Sequence, residues 1–277
     1  MNFIVYAPGP YSPTGGGCIA LHRLAHNICE LGEQCFLMTD SLNPVYRARQ
    51  LNLAEAQEMC KYGQTMVIYP EVTIGNPLNS PFKTRWILYD VRDKEEHGKF
   101  DDEDLIYKYA PIFKLRYDRP VDGELRAMEL NLDLFVDRGE PRSGACYLKK
   151  KNPDKPEIHP EGAFCLDNLR KDDHFLQQLA NIFNRYETFY SYDDATWLSN
   201  MAALCGCKSI VVPREGLSAK EWYEGFPYFK YGIAYGIEEI PHAQETIGML
   251  RSNLLTLEFT SMQQTQLFIN RAKEIVK

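Results

Sequence analysis

The sequence predicts an α/β protein built of two doubly wound, Rossmann-like domains in tandem. Three observations lead there. Short apolar runs that stop at Gly or Pro alternate with segments of helical apolar spacing along most of the chain. At 277 residues the chain exceeds one typical domain of about 100–200 residues and falls short of three. Residues 137–144, which hold Gly, Pro and charge without apolar content, separate two such blocks.

The first block opens on the apolar run 3–7, a buried strand ended by Pro8-Gly9-Pro10. A loop rich in Gly, Pro and Ser ends in Gly15-Gly16-Gly17. Cys18, Ile19, Leu21, Leu24, Ala25, Ile28 and Leu31 then trace one helix face, with Gly32 at the place of a C-terminal cap. Gln34–Met38 is the next strand, and a β-α-β unit requires a parallel sheet. Residues 51–60 read as a helix, and 65–69, 85–89, 112–117 and 132–136 as strands. The charge run 94–104 reads as a solvated loop or helix face.

The second block starts with a strand at Ala145–Leu148 that runs into Lys149-Lys150-Lys151, followed by a Pro-rich loop over 152–162. A helix over 169–186, a strand over 188–192, a helix ending at Cys205-Gly206 and a strand over 209–212 stopped by Pro213 continue the alternation. Asp193 or Asp194 is placed to cap the second of these helices. Residues 257–276 form a last amphipathic helix. The expected domains are therefore 1–140, 141–256 and a closing helix, 257–277.

Composition narrows the function. With 44% apolar, 25% charged and 12% aromatic residues, the chain is neither disordered nor fibrous. Its net charge of −7 argues against general nucleic-acid binding, which needs clustered Lys and Arg. No segment reaches the roughly 18 apolar residues of a membrane span, and the start lacks a signal-peptide pattern, so a cytoplasmic protein is expected. Peripheral association with a membrane is compatible with this. Eight Cys fall short of a disulfide scaffold, and Cys205-Gly206-Cys207 lacks the second Cys/His pair of a zinc site. His22 and His26 lie one helical turn apart without a carboxylate partner, which favours ordinary helix histidines over metal ligands.

Ligands of parallel α/β sheets bind beyond the carboxyl ends of the strands, so the loops there are the places to search. Gly15, Gly16 and Gly17, with Ala20, satisfy G-x-G-x-x-A, and Asp40 follows about 20 residues on. A dinucleotide fingerprint, however, needs its first Gly at the strand–helix turn, and here a long loop intervenes. A glycine-rich loop that lets a bulky ligand approach the helix N-terminus, and a flexible turn needing positive φ, fit as well. Glu71 directly follows a strand and suits a general base, a sugar-hydroxyl ligand or an exposed loop position. Lys149, Lys150 and Lys151 suit either a diphosphate or a solvated face. Tyr192, Asp193, Asp194 and Thr196 run from strand into helix and offer hydroxyl acceptors and a helix start. Arg214, Glu215 and Ser218 follow the last clear strand on the same edge. His97 lies in a polar stretch and is a second candidate base.

Three stretches resemble the GT-B glycosyltransferases, which bind a nucleotide sugar between two Rossmann-like domains. Gly15-Gly16-Gly17-Cys18-Ile19-Ala20-Leu21-His22-Arg23-Leu24-Ala25 is similar to the glycine loop and first helix of the acceptor domain. Tyr69-Pro70-Glu71-Val72, Gly75-Asn76-Pro77-Leu78 and Arg85-Trp86-Ile87-Leu88 resemble a stretch of bacterial polysaccharide-type members. The segment from Tyr192-Asp193-Asp194-Ala195-Thr196 through Ala202 to Pro213 resembles the donor-domain helix and strand. The family's usual donor-domain Glu pair is missing, since Asn200-Met201-Ala202 occupies that region. The chain is also short for this architecture.

The resemblance implies two domains facing across a cleft. It implies a hexose-type sugar moving from a nucleoside diphosphate sugar to a glycan acceptor, without a metal or a further cofactor. If the reaction inverts, Glu71, then His97, would serve as base. Lys149 to Lys151 and Thr196 would offset the charge of the departing diphosphate. The last helix would cross back to the first domain. The alternatives are a non-catalytic nucleotide-sugar or glycan-binding module, favoured by the missing Glu, and a nucleotide-sugar epimerase or an NAD enzyme on the same architecture.

Overall fold

The computed structural model describes residues 1–13, 15–43, 45–91, 100–149, 152–172 and 174–276. These divide into unit 1, formed by Met1–Glu129 and Glu258–Lys277, and unit 2, Leu130–Leu257. Each carries its own all-parallel sheet, which is the α/β, Rossmann-like class that the sequence predicts.

In unit 1 the elements are β1 (Asn2–Tyr6), α1 (Gly16–Glu30), β2 (Gln34–Met38), β3 (Arg49–Leu51) and α2 (Leu53–Cys60), then β4 (Thr65–Pro70), β5 (Phe82–Ile87), β6 (Leu105–Lys108) and β7 (Gly123–Glu124). The sheet order is β3-β2-β1-β4-β5-β6-β7, so the winding direction reverses between β1 and β4. Alternation along the central strands explains the layers. Phe3, Val5, Met66, Ile68 and Trp86 join one apolar cluster with Leu24, Ala25 and Ile28 of α1. Ile4, Val67 and Tyr69 join a second with Ala56 and Cys60 of α2. Both faces of the sheet are thus covered, which is why β4 is buried along its whole length. Asn52 and Glu55 form a capping box that fixes the start of α2.

Unit 2 contains β8 (Ala145–Leu148), β9 (Phe164–Cys165), α3 (Phe175–Arg185), β10 (Thr188–Ser191), α4 (Leu198–Leu204), β11 (Lys208–Val211), α5 (Ala219–Gly225), β12 (Ile233–Tyr235) and α6 (Ile240–Thr246). Its order, β12-β11-β10-β8-β9, reverses at β8. Leu179, Ala180 and Phe183 of α3 pack with Ala202 of α4 on Cys146 and Phe189. The final helix, α7 (Leu250–Ile275), runs through the second division, and its residues from Glu258 on count with unit 1. There Phe268 meets Phe3 and Tyr107 at ring-centroid distances of 6.0 and 5.2 Å.

Several local expectations are corrected. No strand forms over 112–117 or 132–136. Phe113 N–H bonds Ala110 O in a turn, and Leu134 and Phe135 N–H both bond Asn131 O. These turns place Phe135 in the core of unit 2, so the first division falls at 129/130, where the sequence placed it at 140/141. The end of the charge run is not solvated: Asp104 is buried against Arg85, at 2.7 Å, and Leu105 begins β6. α7 begins at Leu250, α3 only at Phe175, and β3 occupies Arg49–Leu51 where a helix was expected to start. The glycine run does not use positive φ. Gly15 caps α1 with φ −94°, and Gly9 is the loop glycine with φ +100°.

Candidate functional site

The reversal between β1 and β4 makes the crevice beyond their carboxyl ends the expected ligand edge of unit 1. The loop after β1 arrives there with the N-terminus of α1, whose first-turn N–H groups have no partner within the helix. Glycines at 15, 16 and 17 keep this end bare. A Cβ on Gly16 would meet nothing within 4 Å, and one on Gly17 would touch Leu88 Cδ1 at 3.6 Å.

Glu71 follows β4 on the same edge. Its N–H bonds Trp86 O at 3.1 Å, extending the β4–β5 pairing by one residue. Its Oε2 accepts the Leu88 N–H at 2.9 Å. Glu71 is 7% exposed, and this burial raises its pKa to about 7; the hydrogen bonds from backbone N–H groups oppose the rise without cancelling it. Leu88 therefore touches both Glu71 and the place of the α1 N-terminus. The position is neither an exposed loop carboxylate nor part of an ion pair that any described residue shows.

A buried scaffold holds the loop behind Glu71. Tyr69 OH accepts from Leu78 N–H at 3.0 Å and donates to Asn76 Oδ1 at 2.9 Å. Arg85, 1% exposed, donates Nε to Asp104, Nη2 to Gly75 O at 2.7 Å and Nη1 to Thr73 O at 3.3 Å, with its guanidinium 5.0 Å from the Tyr69 ring centre. Gly75 turns the chain at φ +64°, a conformation that favours glycine. The Tyr69–Leu88 sequence pattern thus folds into a framework that fixes one carboxyl group. His97, the second candidate base, lies outside the described residues.

In unit 2 the reversal at β8 brings together the loops after β8 and β10. Asn152 Nδ2 donates to Tyr192 O at 2.8 Å, and Tyr192 OH accepts Ile158 N–H at 2.9 Å and lies 2.6 Å from His159 Nδ1. The His159 ring stacks on Tyr147 at 3.8 Å. Asp194 is 5% exposed and is flanked by two cations. Lys155 Nζ donates to its Oδ1 and, at 2.7 Å, to Val212 O, while Arg214 Nη1 sits 3.7 Å from its Oδ2. Trp222 Nε1 holds the Asp194 carbonyl at 3.0 Å. Two cations thus meet on one buried carboxylate.

The other residues singled out in the sequence fall as follows. Lys149 is drawn into the same cluster: its N–H bonds Asp167 Oδ2 at 2.9 Å, its Nζ pairs with Glu157 at 2.6 Å and lies 5.5 Å from the Tyr192 ring centre. Lys150 and Lys151 lie outside the described residues. Asp193 Oδ1 accepts the Ala195 N–H at 3.2 Å in a turn before α4, and Thr196 Oγ1 accepts from Leu198 N–H at 3.4 Å. Neither Asp caps α4, whose N-cap is Trp197. Ser218 and Glu221 form the capping box of α5, and Glu215 is exposed. His22 is buried with Nδ1 2.9 Å from Cys18 O. Among the described residues no cluster of three His, Cys, Asp or Glu is placed to hold a metal, and no helix is long and apolar enough to cross a membrane.

Sequence reasoning missed Lys155, His159 and Tyr147. The signal was available: residues 152–162 follow a strand at a reversal of the winding, and a Pro-rich loop in that position brings its polar side chains to the ligand edge.

No family model and no curated protein matches the chain. Among solved structures it is similar to an α-glucosyltransferase (AGT) in complex with UDP, with 10% identity and a TM-score of 0.45 over 100% of this chain and 99% of that one. It is also similar to MurG of Acinetobacter baumannii, with 8% identity and a TM-score of 0.35 over 100% and 98%. At these scores the likeness is loose, and the functional argument rests on the two sheet edges.

Proposed function

We propose that the chain is a glycosyltransferase that moves a sugar from a nucleoside diphosphate sugar to a hydroxyl of a glycan acceptor, with Glu71 as the general base. The observation that carries this reading is Glu71 itself: a buried carboxyl with a pKa of about 7, held by the Leu88 N–H at the switch point of a doubly wound sheet. A base poised near the working pH takes the acceptor hydroxyl proton as the new glycosidic bond forms at the anomeric carbon and the diphosphate leaves with the bonding electrons. An attacking acceptor of this kind gives inversion.

Unit 2 supplies the donor side of the proposal. Lys155 and Arg214 around Asp194 favour the departing diphosphate, because fixed cations aimed at developing charge lower the barrier. Tyr192 and its neighbours hold the loop that carries Lys155. In this reading the two cations take the role often given to a metal, and the transfer is metal-independent. The sequence resemblance to GT-B enzymes points the same way.

The test is release of nucleoside diphosphate from a panel of UDP- and GDP-sugars, with and without oligosaccharide acceptors. Turnover by the wild type and its loss in Glu71→Gln support the reading. Nucleotide binding without turnover favours the binding module, and a bound or required nicotinamide cofactor favours an NAD enzyme.

A further inference from the structure

Away from both sheet edges, two thiols are held together where α1 hands over to β2. Helix α1 ends in a Schellman motif: Glu33 N–H bonds Ile28 O at 3.2 Å, Gly32 N–H bonds Cys29 O at 3.0 Å, and Gly32 takes φ +84°. This turn reverses the chain so that Cys35, the second residue of β2, comes back onto Cys29 in the last turn of the helix. The Cys29 thiol donates to Cys35 O at 3.6 Å, and the Cys35 thiol donates to Phe36 O at 3.8 Å.

The two differ in environment. Cys29 is partly exposed, whereas Cys35 is 4% exposed in the core. The Cys35 thiol is the largest influence holding the Cys29 pKa down, to about 7, against partial burial. The charged groups facing Cys29 nearly offset each other, since Glu30 and Arg47 pair at 2.9 Å. Burial keeps Cys35 itself protonated. A partly exposed sulfur with thiolate character beside a shielded thiol is the arrangement that selects for oxidation at one position and resolution by the other.

We propose that Cys29 and Cys35 form a peroxide-sensitive dithiol, Cys29 being the sulfur that reacts and Cys35 the one that resolves. The Cys29 thiolate attacks one oxygen of hydrogen peroxide, the O–O bond breaks, and Cys29 sulfenic acid and hydroxide form. The Cys35 sulfur then attacks the sulfenic sulfur, its proton leaves with the hydroxyl group as water, and the disulfide closes. Overall, two thiols are oxidised, one peroxide is reduced, and two waters form. Of the other described thiols, Cys60, Cys146, Cys205 and Cys207 are buried, and burial raises the pKa of each; burial also raises that of the half-buried Cys18, and the half-buried Cys165 has no second cysteine hydrogen-bonded to it.

The experiment treats the full-length reduced protein with hydrogen peroxide, blocks remaining thiols and maps the peptides by mass spectrometry. The expected product is a peptide pair joined through Cys29 and Cys35 that has lost two hydrogens and is restored by dithiothreitol. In Cys35→Ser, whose hydroxyl keeps a hydrogen-bond donor beside Cys29 but cannot close a disulfide, dimedone labels Cys29 instead, while the wild type shows little labelling there. A wild-type map with Cys29 and Cys35 unoxidised while another cysteine reacts first overturns the proposal. So does a disulfide joining either residue to a different partner. The wild-type map decides the matter even if Cys35→Ser does not fold.

Discussion

Replacing Glu71 with Gln separates what this carboxyl does for chemistry from what it costs the fold. The burial that lifts its pKa to about 7 also makes the ionised form unfavourable in the native state. In the unfolded chain the group titrates near 4.3. Between these values the native state binds more protons than the unfolded state, so stability falls as pH rises through the interval and levels off above about 7. The difference of roughly 2.5 pKa units corresponds to about 3 kcal/mol at pH 8. Gln keeps the shape and the acceptor for the Leu88 N–H but carries no charge, so this penalty vanishes. At pH 4 both proteins hold a neutral group and unfold alike. At pH 8 the variant is the more stable, by about 3 kcal/mol at most, or roughly 6–12 °C in melting temperature for a domain of this size. Thermal unfolding of both proteins from pH 4 to 8 reads the effect. A difference independent of pH, or a variant less stable at pH 8, refutes the argument that Glu71 is buried without a compensating charge.

Other perturbations follow from the same geometry. Asp104→Ala leaves Arg85 buried without its carboxylate and frees the carbonyls of the 71–75 loop from a fixed clamp; a loss of about 3–5 kcal/mol in denaturant unfolding is expected, with activity falling in the protein that remains folded. Gly206→Ala forces a side chain into φ +90° and within 2.6 Å of Asp137 Oδ2, and costs about 1–3 kcal/mol by the same measurement. Asp194→Asn weakens the hold on Lys155 and Arg214; calorimetric titration with a nucleoside diphosphate is expected to show an affinity changed by several-fold or more, whereas the exposed Glu215→Gln leaves it unchanged.

Much of the architecture was legible because parallel sheets leave a strong imprint. Strands such as 3–7 and 65–69 are continuous apolar runs, since both of their faces are covered, and Gly32 marks the end of α1 through its positive φ. The failures share a cause. In 112–117 and 132–136, turns bury only Phe113, Leu132 and Phe135, and periodicity cannot distinguish a few buried turn residues from a short strand. Asp104 looked solvated because its neighbours are charged, and only the fold reveals that Arg85 meets it from a different strand. Glu71 was visible as a carboxylate after a strand. Its raised pKa was not, because that depends on how completely the fold buries the carboxyl group. Lys155 was obscured by the more conspicuous lysines just before it, although its pairing with Asp194 spans the strand reversal that sequence order already implied.

The central claim is that Glu71 works as the base of a sugar transfer, and the pH dependence of nucleoside diphosphate release tests it most directly. With donor and acceptor supplied, wild-type kcat/KM should rise with pH along an acid limb centred near 7 and then level, while Glu71→Gln binds the donor but shows no such limb and little turnover. Turnover in Glu71→Gln equal to wild type, or a wild-type limb near the ordinary carboxylate range of about 4, contradicts it.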